Sequence, residues 1–265
     1  MKLVYVSFYV EDVDKAADWL VTFYKGEKGP VCNDDGCEKC MVTFSNCAGI
    51  QLIRNPAITE KTVQRHPGLG YHHIAINVGS DARYEQLIKD LSDSGYSFLT
   101  GPRINSFGTK EGIVIGEGGN LTIQTAPSRG SRDGDGDPSV LNHVGFFVSD
   151  NKEFAKFFVR YLNALDDGCS PVNPKTGQDN YMVGFENGVS VELMTCPDMI
   201  PEPEDRYKKL GFRSLAIVCK NAAEFDEKTK ALLQDGFDFL VRPAGCQAVV
   251  LAPGNIAVQL ISPDA

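Results

Sequence analysis

One pattern occurs four times in this chain, and it constrains the fold more than any other feature. In the stretch Leu141-Asn-His-Val-Gly-Phe-Phe-Val-Ser-Asp150, Val144, Phe146 and Val148 fall on one face of a strand at period two, and His143, Gly145, Phe147 and Ser149 fall on the other. One face can pack while the other lines a cavity. Asp150 has the chemistry of a helix N-cap, and Phe154, Phe157, Phe158, Tyr161 and Leu162 mark a helical stripe over residues 152–162. The unit is therefore a strand that hands over to an amphipathic helix. It recurs at residues 4–12 with Tyr5 in the place of His143, at 70–80 with His73 there, and at 211–221 with Ser214. Each recurrence leads into a helix-like segment and then short strands that end in a β-rich run, at residues 49–53, 120–124, 189–193 and 255–260. These runs place Gln51, Gln124, Glu192 and Gln259 at equivalent positions.

Four modules follow, over about residues 1–55, 70–126, 140–196 and 211–263, and the two halves align with a shift of about 140 residues, as expected of a tandem duplication. The first helix is expected from Val13 to about Tyr24, with Trp19, Phe23 and Tyr24 in the core. The second is expected from Tyr84 to Leu91, with Gly95 as its stop. Residues 128–138, Ser-Arg-Gly-Ser-Arg-Asp-Gly-Asp-Gly-Asp-Pro, have the composition of an exposed linker and divide the chain into halves at 1–127 and 139–265. Polar, Pro-containing connectors at 55–69 and 197–203 join the modules within each half.

Composition sets outer bounds. With 265 residues, 42% of them hydrophobic and 23% charged, the chain is an ordinary globular protein with room for two domains. A net charge of −9 with no dense Lys/Arg patch argues against nucleic acid and anionic membrane as partners. The N-terminal apolar run meets Glu11 and Asp12 without a cleavage site, and no run has membrane-spanning length, so the cytoplasm is the expected compartment. A monomer or a homodimer is expected.

Of eight cysteines, Cys32, Cys37, Cys40 and Cys47 fall close enough in sequence to hold zinc. The alternative is reduced thiols, because Cys40 and Cys32 match Tyr181 and Asn173 in the second half, where the same turn is made without sulfur. The acidic run from Asp133 to Pro138 lacks the ligand spacing of a calcium loop. Gly116-Glu-Gly-Gly-Asn120 leads into a strand rather than a helix, so it reads as a hairpin turn and not a phosphate loop. His66 and His72 read as hydrogen-bonded core or surface residues.

The segments His73-Ile-Ala-Ile-Asn-Val, Gly101-Pro-Arg103, His143-Val-Gly-Phe-Phe-Val-Ser-Asp150, Phe185-Glu-Asn-Gly-Val-Ser-Val-Glu-Leu193 and Ala252-Pro-Gly-Asn-Ile-Ala-Val-Gln259 together resemble the vicinal oxygen chelate superfamily. That superfamily includes glyoxalase I, fosfomycin-resistance enzymes, extradiol dioxygenases and bleomycin-binding proteins. The resemblance covers nearly the whole chain. It implies an α+β fold of four βαβββ modules paired into two incomplete β-barrel units, with a divalent metal held by residues of the first and last strands. Carried over by position, the candidates are Tyr5, Gln51, His73, Gln124, His143, Glu192, Ser214 and Gln259.

The choice of partners decides the site. If neighbouring modules pair, one cavity receives Tyr5, Gln51, His73 and Gln124, and the other receives His143, Glu192, Ser214 and Gln259. If the second and third modules pair, as in glyoxalase-like dimers, His73, Gln124, His143 and Glu192 converge. That set suits a divalent zinc, nickel, manganese or iron ion with positions open to a substrate. Tyr5, Gln51, Ser214 and Gln259 then line a cavity poorly suited to metal. The resemblance implies a metal-dependent lyase or isomerase acting on a small oxygen-chelating metabolite through an enediolate-like intermediate, with Glu192 as the base. A metal-free small-molecule binding protein and an extradiol-type dioxygenase are the alternatives.

Overall fold

The computed structural model describes residues 1–61, 68–105, 108–117, 121–128, 138–201 and 209–263. Most of the expected 128–138 linker, His66, and part of the Gly116–Asn120 turn lie outside them.

The first module runs β1 (Lys2–Tyr9), α1 (Val13–Tyr24), β2 (Glu27–Lys28), β3 (Cys32–Asp34), β4 (Cys37–Thr43) and β5 (Gly49–Arg54). The second runs β6 (Gly70–Asn77), α2 (Asp81–Asp93), β7 (Phe98–Ile104), β8 (Lys110–Ile115) and β9 (Thr122–Ala126). The third is β10 (Val140–Phe147), α3 (Asn151–Leu162), β11 (Leu165–Cys169), β12 (Asp179–Gly184) and β13 (Ser190–Thr195). The fourth is β14 (Gly211–Val218), α4 (Ala222–Gln234), β15 (Phe239–Ala244), β16 (Gln247–Ala252) and β17 (Ile256–Ile261).

Local chemistry starts each helix. Asp12, Ser80, Asp150 and Asn221 cap α1 to α4, each accepting a backbone N–H of the first turn. The cap at Ser80 starts α2 three residues before the expected Tyr84, because its first turn is polar and carries no apolar stripe. Gly95 follows α2 at φ +82°, a backbone that a side chain would strain.

The modules pair by exchange. The nine-stranded sheet is ordered β15-β16-β17-β14-β1-β5-β4-β2, with β3 on β4, and so joins the first module to the fourth. The eight-stranded sheet is ordered β11-β12-β13-β10-β6-β9-β8-β7 and joins the second to the third. In each, two first strands run antiparallel at the centre, each flanked by the parallel last strand of its own module. Neither sheet closes into a complete barrel.

Between the sheets lies one continuous apolar core. Alternation sends Phe8 and Phe146 into it, and a register shift in each central pair turns Phe212 and Tyr71 inward opposite them, so that these rings meet at 5.1 to 6.2 Å between centroids. Four-way ring packing of this kind adds to the area buried by each side chain. The helices pack into the same space: α1 lies on β4 and β5, and its Tyr24 hydroxyl reaches Thr125 of the other sheet at 2.9 Å. The opposite face of each sheet carries the candidate polar residues, among apolar ones such as Ala75 and Phe147. No helix among the described residues is long and apolar enough to cross a membrane.

Candidate metal centre

Register decides what the polar faces carry. In the eight-stranded sheet, Ala75 pairs with Gln124 and Gly145 with Glu192, which makes His73 and His143 equivalent two residues earlier on β6 and β10. In the nine-stranded sheet, Ser7 pairs with Gln51 and Ala216 with Gln259, which sets Tyr5 and Ser214 at that same place.

The structure brings His73, His143 and Glu192 together, although the first two lie 70 residues apart in sequence. Their Nε2 atoms are 3.0 Å apart, and Glu192 Oε2 is 3.5 Å from each. The point equidistant from these three atoms lies about 1.9 Å from each, so an ion slightly off their plane would meet all three at roughly 2.0–2.1 Å, the ordinary bond length from zinc to nitrogen or carboxylate oxygen. Two imidazoles and one carboxylate are a donor set for a borderline divalent metal. The residues fit such an ion, and His73, His143 and Glu192 are the only such cluster of His, Cys, Asp and Glu among the described residues.

The rings are held in place by their other nitrogens. His143 Nδ1 lies 2.7 Å from Asn142 Oδ1, which can only accept, so Nδ1 carries the hydrogen and Nε2 presents its lone pair. His73 Nδ1 pairs with His72 Nδ1 at 2.8 Å, which gives the buried His72 a place beside the centre. The His73 ring occupies the space over Gly145, where an added Cβ would stand 2.4 Å from the ring's Cε1. Gly145 is therefore glycine because the ring lies against it.

Burial, with His72 and His143 adding to it, holds the His73 pKa well below the ordinary histidine value. Burial alone would raise that of Glu192, but the hydrogen bond and charge of His143, together with His72 and Asn180, bring it below the usual carboxylate value. Both directions favour a neutral imidazole and an ionised carboxylate, the forms that bind metal.

Gln124 lies beside this triangle. It opposes the lowering of the His73 pKa. Its Nε2 donates to Glu111 Oε2 at 3.0 Å. Glu111 went unrecognised in the sequence, as did Asn180, whose Nδ2 donates to Glu192 Oε1 at 2.7 Å. The available signal was register: Ile113 pairs with Gln124 as Met182 pairs with Glu192, and Glu111 and Asn180 each precede that partner by two residues.

In the other sheet the same positions form hydrogen bonds between neutral groups. Tyr5 donates to Gln259 at 3.2 Å, Ser7 to Gln51 at 3.0 Å, and Gln259 to Gln247 at 3.0 Å, with Ser214 buried nearby in the sheet. Burial raises the Tyr5 hydroxyl pKa, with Arg213 opposing it, so no anionic ligand is offered there. The four cysteines of the first module do not converge: Cys32 and Cys47 are exposed, Cys40 is buried, and all are free thiols.

No family model and no curated protein sequence matches the chain. Solved structures do. Glyoxalase I from Zea mays superposes with a TM-score of 0.75 at 18% identity, covering 98% of this chain and 92% of that one. A single-substitution variant of the same enzyme gives 0.77 at 17% identity over the same shares. A Bacillus subtilis protein provisionally described as a dioxygenase gives 0.70 at 9% identity, covering 100% of this chain and 86% of that one.

The chain therefore has the fold of these glyoxalase I structures. It takes a four-module, single-chain, glyoxalase-like form, with the first module joined to the fourth and the second to the third.

Proposed function

We propose that this protein is a metal-dependent lyase or isomerase of glyoxalase type, acting on a small metabolite that presents two vicinal oxygens. The observation that carries the reading is the approach of His73 Nε2, His143 Nε2 and Glu192 Oε2 within one bonding sphere, on strands from both halves of the chain. These three side chains and the Gln124 amide oxygen would hold the ion. A bound divalent cation would supply polarisation of two substrate oxygens and so acidify an adjacent C–H.

The protein's own residues do the rest. Glu192 Oε2 faces the two histidines, and Oε1 accepts only one hydrogen bond, from Asn180, so Oε1 keeps a lone pair with which to take a proton from one carbon and return it to the next. Asn142 and His72 fix the ring orientations from behind. Gln124 adds a neutral oxygen where a second carboxylate would add charge, so the centre carries one formal negative charge from its protein ligands.

Metal content of purified protein, with and without chelator, is the first test. It is followed by exchange of substrate C–H into deuterated water with a panel of α-hydroxycarbonyl compounds. Copurifying metal, a chelator-sensitive melting temperature and exchange lost in Glu192→Gln support the reading. If no metal binds and chelator leaves the melting temperature unchanged, metal-free small-molecule binding replaces it.

A further inference from the structure

The two last-strand residues of the metal-bearing sheet are supported in mirror-image chemistry. In the third module a carboxylate on β13, Glu192, receives one hydrogen bond from an amide on β12, Asn180, and keeps Oε2 for the histidines. In the second module an amide on β9, Gln124, gives one hydrogen bond to a carboxylate on β8, Glu111, and so has its oxygen as the end not turned to Glu111. The strand positions are the same and the functional groups are exchanged.

Glu111 is not a second base. It is buried, and each of its oxygens already accepts two hydrogen bonds: Oε1 from Arg103 Nε at 3.0 Å and Nη2 at 2.8 Å, and Oε2 from Asn105 at 2.9 Å and Gln124 at 3.0 Å. A carboxylate so saturated has no oxygen left for a substrate proton. What it does is discriminate between the two ends of the Gln124 amide. An anion that only accepts can hold the NH₂ end, and so leaves the carbonyl end as the one free for an ion. An amide turned the other way would present two N–H donors to a cation and repel it.

We propose that Glu111 is a positioning residue for the metal centre: clamped by Arg103 and Asn105, it locks the Gln124 amide with its oxygen toward the ion. This rests on the metal-centre reading above. Glu111, Arg103 and Asn105 thereby belong to the centre without touching it.

The test is Ni²⁺ affinity of the full-length protein, measured by competition with a chromogenic chelator, alongside the melting temperature of the metal-free form. Glu111→Ala frees the amide and is expected to weaken Ni²⁺ binding roughly ten- to a hundred-fold, the usual effect of losing an outer support. Glu111→Gln keeps the side-chain volume and serves if the alanine variant does not fold; it removes one of the two acceptor oxygens and should weaken binding in the same direction. Combining Glu111→Asn with Gln124→Glu rebuilds the arrangement of the third module in the second, and should recover wild-type affinity or exceed it. Rescue of that kind would not follow from loss of general stability. Wild-type affinity in Glu111→Ala or Glu111→Gln, or a double variant no better than Glu111→Ala, overturns this proposal alone. A wild-type protein that takes up no Ni²⁺ overturns it together with the metal-centre reading.

Discussion

The two sheets are copies of one plan, and at the four candidate ligand positions they carry different side chains. Where one has His73, His143, Gln124 and Glu192, the other has Tyr5, Ser214, Gln51 and Gln259. In both, a first-strand residue of one module reaches a last-strand residue of the partner module: His73 approaches Glu192 at 3.5 Å, and Tyr5 approaches Gln259 at 3.2 Å. The backbone that could gather a cation is thus retained in both, and the donors that could bind it are present in only one. Metal competence here is a property of side chains mounted on a geometry that stands without them.

The largest expected effect breaks what the sheets share. Phe146→Ala or Phe8→Ala empties the ring cluster between them and should cost about 3–5 kcal/mol of stability. Denaturant titration reads it, and a loss no greater than that of an exposed Phe→Ala would remove the cluster as the joint between the sheets.

Next is the ion itself. With metal at a hundred to a thousand times its dissociation constant, the wild type should gain roughly 3 to 4 kcal/mol, and His143→Ala should lose that gain. Ser214→Ala, at the equivalent position of the other sheet, should keep it. Thermal melts with and without metal separate the two, and equal responses in both variants would erase the distinction drawn between the sheets.

Gly145→Ala sharpens the comparison further. The added methyl runs into the His73 ring, so a cost of about 1–3 kcal/mol together with weakened metal binding is expected. Unaltered metal affinity in this variant would show that the ring does not depend on that space. The corresponding cross-strand pair in the other sheet is Ser7 with Ser214, so a graft of Ser214→His there would also require Ser7→Gly.

Acid should act on one sheet and spare the other. His73 and Glu192 both have folded-state pKa values below their ordinary ones, the first by burial and the second through His143 against the effect of burial. On acidification the unfolded chain therefore takes up protons that the folded state refuses. For metal-free protein their contribution is complete above about pH 6.5 and declines as pH falls from there through the ordinary carboxylate value and below. Hydrogen exchange should report earlier opening of β6 and β10 than of β1 and β14, and simultaneous opening would speak against this origin.

The smallest effect concerns sulfur. Cys37→Ser and Cys47→Ser should each stay within about ±0.5 kcal/mol of wild type, since neither thiol meets the others in a cluster. A thiol-dependent loss of bound zinc in these variants would restore the alternative that the sequence spacing left open.

The repeat made much of this legible. Period-two alternation on the four first strands was enough to set Tyr5, His73, His143 and Ser214 in one register and Gln51, Gln124, Glu192 and Gln259 in another. It could not choose the partner of each module, because the same alternation satisfies either pairing and only the packed arrangement selects one. Glu111 stayed hidden for a related reason: a carboxylate between Lys110 and Gly112 reads as a solvated strand residue, and only the clamp of Arg103 and Asn105 explains its burial. Asn180 precedes Glu192 by twelve residues and Glu111 precedes Gln124 by thirteen. Correspondence between these middle strands therefore emerges only from their ladders.

The exchanged pairing has a consequence for the order in which the protein can be built. Everything needed by the sheet that carries His73, His143 and Glu192 has been synthesised once β13 ends at Thr195. Its sister cannot be completed until β14 and β17 follow, since Lys2 finds its partner only at Val218. On a ribosome β1 can pair early with β5 along one edge, while its other edge of backbone donors and acceptors stays open as more than 200 residues are added before β14. That second edge of β1 is open to wrong partners during synthesis, and its protection in nascent chains is where chaperone dependence should concentrate.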